Sequence, residues 1–236
     1  MNLVIDIGNT LVKYAVFNDK KIIKFEKSDD FDTKIIDDLL QKQIIKNIII
    51  SSVRGKVTLK RDLDITYLSE STKLPISMKY KTPHSLGKDR LAGVVAASVL
   101  YPNKNILIID AGTCLTMDFI DKNKVYFGGR ISPGVEMRYN SLNKLTKNLP
   151  KLTLNQSYSP IGVDTNSSIV SGVQNGIIAE VETIINDFRK ENENLFVILT
   201  GGDTIFFENT LKNIIFAEQN LVLKGLNEIL KYNEQN

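Results

Sequence analysis

The sequence contains one cysteine, Cys114, and one histidine, His84. A single cysteine rules out an intramolecular disulfide and fits a reducing compartment. The pair also excludes a zinc site of the usual Cys/His kind, so any metal must be a hard cation held by oxygen ligands. No run of about 18 apolar residues occurs, which leaves no membrane-spanning helix to expect. Charge of one sign is equally scarce: 30 Lys and Arg against 27 Asp and Glu leave a net charge of +3, with the lysines dispersed along the chain. So small an excess argues against nucleic acid or a membrane surface as a partner. The chain enters an apolar strand pattern at once and shows no signal-peptide pattern, so a cytoplasmic location is expected. What is present is an ordinary globular composition, 42% hydrophobic and 24% charged over 236 residues, enough for one large domain or two small ones.

The most informative stretch is the first ten residues. Leu3-Val4-Ile5 reads as a buried strand, Asp6 ends it, and Ile7-Gly8-Asn9-Thr10 connects it to a second strand, Val12–Phe17. Gly8 lets the backbone approach a ligand closely. The amide N–H groups, Asn9 and the Thr10 hydroxyl are donors suited to phosphate oxygens, and Asp6 stands where it could hold a Mg²⁺ bridging them. The device recurs: Asn105–Ile109 is an apolar run, Asp110-Ala111-Gly112-Thr113 follows, and Leu115–Ile120 is the next strand. A lone Asp-x-Gly turn is only a turn. Two copies, each leaving a core strand, are far more specific.

The remaining pattern is mixed. After a third strand over Lys21–Phe25, the spacing of Ile35, Ile36, Leu39 and Leu40 predicts a helix within 31–43, and Asn47–Ser51 a buried strand. Residues 57–68 are expected to hold a short helix and a strand. The loop 82–87 precedes a buried helix over 89–101, closed by Pro102, so Asp89 and Arg90 stand at a helix start. Asp89 there reads equally as an N-cap, whereas an Arg at a helix start is disfavoured by the macrodipole and suggests a ligand. Past Val125–Phe127, residues 128–134 read as a turn-rich loop and 135–145 as a helix with Met137, Leu142 and Leu145 inward. A loop over 147–159 is followed by a long helix from about 169 to 189, with Gly172, Gly176 and Ala179 on one side. The strand Leu195–Thr200 ends in Gly201-Gly202-Asp203, either a turn or a close backbone approach, and 221–232 is an amphipathic helix. The two halves repeat. The expected architecture is therefore α/β, with two duplicated lobes over residues 1–104 and 105–236, one phosphate hairpin in each, and a nucleotide in the cleft between them.

Five motifs in this order, Asp6-Ile7-Gly8-Asn9-Thr10, Gly87-Lys88-Asp89-Arg90, Asp110-Ala111-Gly112-Thr113, Gly128-Gly129-Arg130-Ile131-Ser132-Pro133-Gly134 and Thr200-Gly201-Gly202-Asp203, give the chain a resemblance to the type III pantothenate kinases, in the actin/hexokinase-like (ribonuclease H-like) ATPase superfamily. The resemblance covers nearly the whole chain. It implies transfer of the ATP γ-phosphoryl to pantothenate, giving 4′-phosphopantothenate in the first step of coenzyme A biosynthesis. It implies that Asp6, Ile7, Gly8, Asn9, Thr10, Leu11, Val12 and Lys13 bind ATP, with Thr113 as a further contact. It makes Asp89 the proton acceptor and Tyr80, Gly87, Lys88, Asp89, Arg90 and Thr165 the pantothenate site, with Arg90 on the substrate carboxylate, a group an Arg fork suits. It makes Asp110 the ligand of a monovalent cation, K⁺ or NH₄⁺, alongside Mg²⁺ at Asp6, and it implies a homodimer, for which the small-residue faces of 91–100 and 169–185 are candidates.

Two positions depart from the family pattern. Lys88 stands where a small apolar residue is usual, and Cys114 where alanine is usual, the latter a near-neutral swap if the thiol is buried. Another small-molecule phosphotransferase of the superfamily is the nearest alternative, opposed by Tyr80 and the 87–90 loop, which lie outside the shared ATP machinery. A non-enzymatic nucleotide-binding regulator is the other, and the sequence has neither the basic stripe nor the helix-turn-helix that a DNA-binding role would use.

Overall fold

The computed structural model describes residues 1–55, 57–59, 64–155 and 157–235. Two compact units form. The first comprises Met1–Asn103, Ile120–Gly128 and Asn220–Asn236, and the second Lys104–Phe119 and Gly129–Gln219.

In the first unit, β1 (Asn2–Ile7), β2 (Val12–Asn18), β3 (Lys21–Ser28), β4 (Asn47–Ser52) and β5 (Asp64–Tyr67) form one sheet in the order β3-β2-β1-β4-β5. β1 runs antiparallel to β2 and parallel to β4. The central strands are apolar on both faces, as a strand covered on both sides must be. Leu3, Ile5 and Ile7 pack with Ile36 and Leu39 of α1 (Thr33–Lys42) on one face. Val4, Ala15 and Ile49 pack on the other face with Ala92 and Val95 of α2 (Lys88–Leu100) and with Leu226 and Ile229 of the C-terminal helix Leu221–Glu234. α1 starts where Asp32 accepts a hydrogen bond from the Lys34 N–H at 2.8 Å, a plain N-cap. The C-terminal helix meets α2 through Gly225, where a Cβ would lie 1.8 Å from the Ala92 carbonyl oxygen. α2 is buried from Arg90 to Ser98, as its run of small apolar residues implies.

A second sheet repeats this order. It is built from the short β6 (Ser77–Met78), β7 (Ile106–Ala111), β8 (Cys114–Ile120), β9 (Val125–Pro133), β10 (Phe196–Thr200) and β11 (Phe216–Ala217). α3 (Val135–Leu145), α4 (Thr165–Glu191) and α5 (Thr204–Thr210) belong to the second unit, and the C-terminal helix, α6, belongs to the first. The strands line up β9-β8-β7-β10-β11, with β10 parallel to both β7 and β11. Five strands of this sheet thus repeat the order of the first. β9 carries β6 on its other edge, paired Ser77↔Val125 and Met78↔Tyr126. α4 opens with a capping box in which Asp164 and Ser167 satisfy each other's backbone N–H groups.

Several expectations need correction. Residues 128–134 are no loop, because β9 continues to Pro133 and Gly134 caps α3. The glycines serve close strand approach: a Cβ on Gly129 would lie 1.9 Å from the Met117 carbonyl oxygen. On α3, Val135 and Tyr139 are the buried positions and Leu142 packs partly, whereas Met137 and Leu145 are exposed, Leu145 at 83%. The short helix expected within 57–68 does not occupy 57–59, and 60–63 lie outside the described residues. The small-residue face of 91–100 is consumed inside the chain by α6. Gly172, Gly176 and Ala179 of α4 are exposed instead.

Candidate active site

The first hairpin closes through the Gly8 N–H donating to the Leu11 carbonyl oxygen at 3.0 Å. Asn9 and Thr10 are exposed at its tip, Gly8 and Leu11 are partly covered, and Ile7 and Val12 put their side chains into the core, so only their backbone faces outward chemistry. Strand alternation sorts the polar residues. Asp6 follows Val4, Lys13 precedes Ala15 and Ser51 follows Ile49, so all three lie on the face covered by α2 and α6. Register makes them one row: Lys13 opposite Asp6, and Asp6 beside Ser51. Asp6 and Ser51 are buried. A carboxylate flanked by a lysine and a hydroxyl, at the carboxyl ends of parallel strands, is where an α/β sheet receives a ligand.

Arg54, which no sequence motif singles out, braces this hairpin. Its Nε donates to the Gly8 carbonyl oxygen at 2.7 Å, and its Nη1 donates to the Asp29 carbonyl oxygen at 2.9 Å and the Asp30 carboxylate at 3.1 Å. The planar fork ties the glycine turn to the β3–α1 loop, a geometry lysine cannot copy.

The helix that covers this face carries the second group of candidates in its first turn. Gly87 is the residue before α2, with its carbonyl accepting from the Leu91 N–H at 3.0 Å. Lys88 is the first helical residue and is partly covered. Asp89 is therefore not the cap. Its Oδ1 accepts from the Arg90 N–H at 2.8 Å, and a Cβ on Gly87 would meet that oxygen at 2.6 Å, so the glycine leaves room for the carboxylate. An acid in the first turn is favoured by the helix N-terminus.

Arg90 is only 8% exposed and donates through Nη2 to the Tyr126 hydroxyl at 3.2 Å. Tyr80 stacks on Tyr126, centroids 5.9 Å apart at 18°, with the Arg90 guanidinium carbon 6.0 Å from the Tyr80 ring. Gly128, at φ +110°, lets the Tyr80 ring lie against the backbone, since a Cβ there would be 3.2 Å from it. Tyr80 and Arg90 are thus brought together, by Tyr126, which no sequence signal distinguished from a core aromatic.

In the second unit, the Gly112 N–H donates to the Cys114 carbonyl oxygen at 3.0 Å and closes the matching hairpin. Asp110 is partly covered, Thr113 is exposed, and the Cys114 thiol is half-buried rather than buried. Gly201, at φ +102°, abuts this hairpin: a Cβ would lie 2.3 Å from the Ala111 carbonyl oxygen and 2.6 Å from Asp110 Oδ1. The close approach expected at Gly201 is therefore made to the chain's own Asp110 turn. The Asp203 N–H donates to the Ala111 carbonyl oxygen at 2.9 Å, and burial, then the nearby Glu136, raises the Asp203 carboxyl above the ordinary range. Thr165 is the exposed first residue of α4. Among the described residues, no three His, Cys, Asp or Glu side chains gather as a metal cage.

Comparison with known proteins agrees with this architecture. A sequence model described as type III pantothenate kinase matches residues 2–187. A type III pantothenate kinase of Christiangramia forsetii is 45% identical over 99% of both chains. Among solved structures, a Campylobacter jejuni protein provisionally named a conserved Baf family transcriptional activator superposes with TM-score 0.61 at 22% identity, over 99% of this chain and all of that one. The inorganic polyphosphate/ATP-glucomannokinase of an Arthrobacter strain superposes with TM-score 0.50 at 12% identity over 98% of each chain. The structural likenesses establish the fold, that of the actin/hexokinase-like ATPases.

Proposed function

The chain belongs to the type III pantothenate kinase family, and on that premise we propose how its residues phosphorylate pantothenate at the entry to coenzyme A biosynthesis. The observation that carries the reading is the coincidence, on one face of one sheet, of the Lys13–Asp6–Ser51 row and the helix bearing Asp89 and Arg90.

The hairpin 6–13 binds the ATP phosphates, with Lys13 offsetting their charge and the backbone N–H groups of the Gly8 turn donating to their oxygens. Thr113 adds a contact from the second hairpin. Arg90, desolvated and steadied by Tyr126, pairs with the pantothenate carboxylate, and Tyr80, Gly87, Lys88 and Thr165 complete the substrate site. Asp89 accepts the proton of the primary hydroxyl as its oxygen bonds to the γ-phosphorus. The bond from that phosphorus to the bridging β–γ oxygen breaks, and ADP leaves. Such transfer is mostly positioning and charge neutralisation.

Mg²⁺ fits the oxygen donors beside the hairpin. Asp6 would hold it together with phosphates and water, the mixed coordination this ion prefers over an all-protein cage. Bound there, it would neutralise developing phosphate charge. Asp110 would hold the monovalent cation, K⁺ or NH₄⁺. Each half of the chain, 1–104 and 105–236, contributes one hairpin. A homodimer through the exposed Gly172, Gly176 and Ala179 face of α4 and a cytoplasmic location belong to the same reading.

The test is ATP consumption with and without pantothenate, with and without potassium, on wild-type and Asp89→Asn protein. Pantothenate-dependent turnover that requires potassium and vanishes in the variant is expected. ATP turnover indifferent to pantothenate would overturn the substrate assignment.

A further inference from the structure

Ser51 is 0% exposed, yet its Oγ has no hydrogen-bond partner. A buried hydroxyl without a partner pays its full desolvation cost, so native structures seldom keep one without a reason. In this strand alanine would fill the same space at no such cost. The position of the hydroxyl supplies the reason. β4 leaves the sheet at Ser51-Ser52, and parallel register sets Ser51 beside Asp6, the two side chains on one face with backbones about 4.8 Å apart. Lys13 flanks Asp6 on the other side, so the row presents a cation, a carboxylate and a hydroxyl in sequence. Three residues further on, Arg54 grips the Gly8 carbonyl, so the segment carrying Ser51 is tied to the same hairpin.

We infer that Ser51 Oγ is a binding group for the phosphate–Mg²⁺ end of the nucleotide, satisfied only when that ligand is present. The inference rests on the kinase reading above and adds a residue from β4 to a site otherwise assigned to the two hairpins and the 87–90 loop. A hydroxyl can donate to a phosphate oxygen or accept from a metal-bound water. Either use turns the cost carried by the free protein into affinity for the ligand, because the group is already desolvated and fixed when the nucleotide arrives.

The experiment compares wild type and Ser51→Ala in two measurements. Thermal denaturation without ligand is expected to leave the variant's Tm unchanged or raised by about 2–4 °C, the shift that relief of about one orphaned polar group gives a chain of this size. Calorimetric titration with Mg²⁺ and the non-hydrolysable analogue AMP-PNP is expected to show Kd weakened about tenfold in the variant, a loss of the size a lost hydrogen bond to a charged group causes. Adenosine, which lacks phosphates, should bind both proteins alike. Equal Kd for the Mg²⁺–analogue complex in the two proteins would overturn the inference while leaving the kinase reading intact. A lower ligand-free Tm would also overturn it, by showing that the hydroxyl stabilises the free fold. Failure of the wild-type protein to bind the complex at all would overturn the kinase reading and this inference with it.

Discussion

At the scale of single residues, the first turn of α2 combines two opposed demands. Asp89 is favoured by the helix N-terminus, while Arg90 is disfavoured there and is nevertheless buried. Its compensation is the Tyr126 hydroxyl and the Tyr80 ring. Tyr126→Phe is therefore expected to raise the KM for pantothenate about tenfold, the effect of losing a hydrogen bond to a charged group, with the KM for ATP and the chevron-derived stability little changed. Steady-state kinetics with each substrate varied in turn checks this, and equal rises in both KM values would refute a role confined to Arg90. Asp89→Asn keeps an acceptor for the Arg90 N–H but cannot take a proton. Turnover should fall by about 10²–10⁴-fold with Tm unaltered.

Elements set what these residues can do. α2 is held on the sheet by α6 through Gly225, and only glycine permits the contact with the Ala92 carbonyl. Gly225→Ala should destabilise the protein by about 2–4 kcal/mol, measured as a fall in urea midpoint, because the added methyl meets backbone rather than a movable side chain. In the second unit, Tyr139 of α3 donates to Gln174 of α4 at 2.8 Å, and burial, then the nearby Tyr158, pushes its hydroxyl up to about 12. The folded state therefore holds this proton more tightly than the unfolded state, whose tyrosine titrates near 10. Stability attributable to it is complete below pH 10 and is lost as pH rises from 10 towards about 12. Denaturant titrations across that window should show a falling slope in wild type and a flatter one in Tyr139→Phe.

For the whole molecule, duplication is the organising fact. Counted from β1 and from β7, both sheets contain the order 3-2-1-4-5, the second adding β6 beside β9, and each places an acidic glycine hairpin between the first two strands so counted. Assembly is the other question at this scale. The Gly172, Gly176 and Ala179 face of α4 is exposed, and a Cβ at Gly172 or Gly176 meets nothing within 4 Å of its own chain. If the proposed homodimer forms through this face, Gly176→Arg is expected to leave the monomer folded and shift the molar mass measured by light scattering from dimer to monomer. An unchanged mass would remove α4 from the interface.

Local order along the chain was enough to establish the hairpins at Asp6 and Asp110, the start of α2 beside Asp89, the limits of α3 and the duplicated α/β plan. Strand runs, glycine turns and acidic exits are encoded by neighbours within a few residues, and the family motifs are short and contiguous. The inward assignment of Met137 and Leu145 failed because helical spacing marks a stripe without saying which side meets the core. Residues 128–134 were misread because glycine signals a turn and a close strand crossing alike. Ser51, Arg54 and Tyr126 were invisible to pattern, since each is placed by something on another element: Ser51 beside Asp6 by sheet register, Arg54 on Gly8 across 46 residues, Tyr126 on Arg90 across 36. A serine ending an apolar strand, an arginine in a turn and a tyrosine in a strand are unremarkable one-dimensionally. Folding alone leaves the first without a partner and gives the other two theirs, because pairing and burial depend on the contacts that the chain makes far from home.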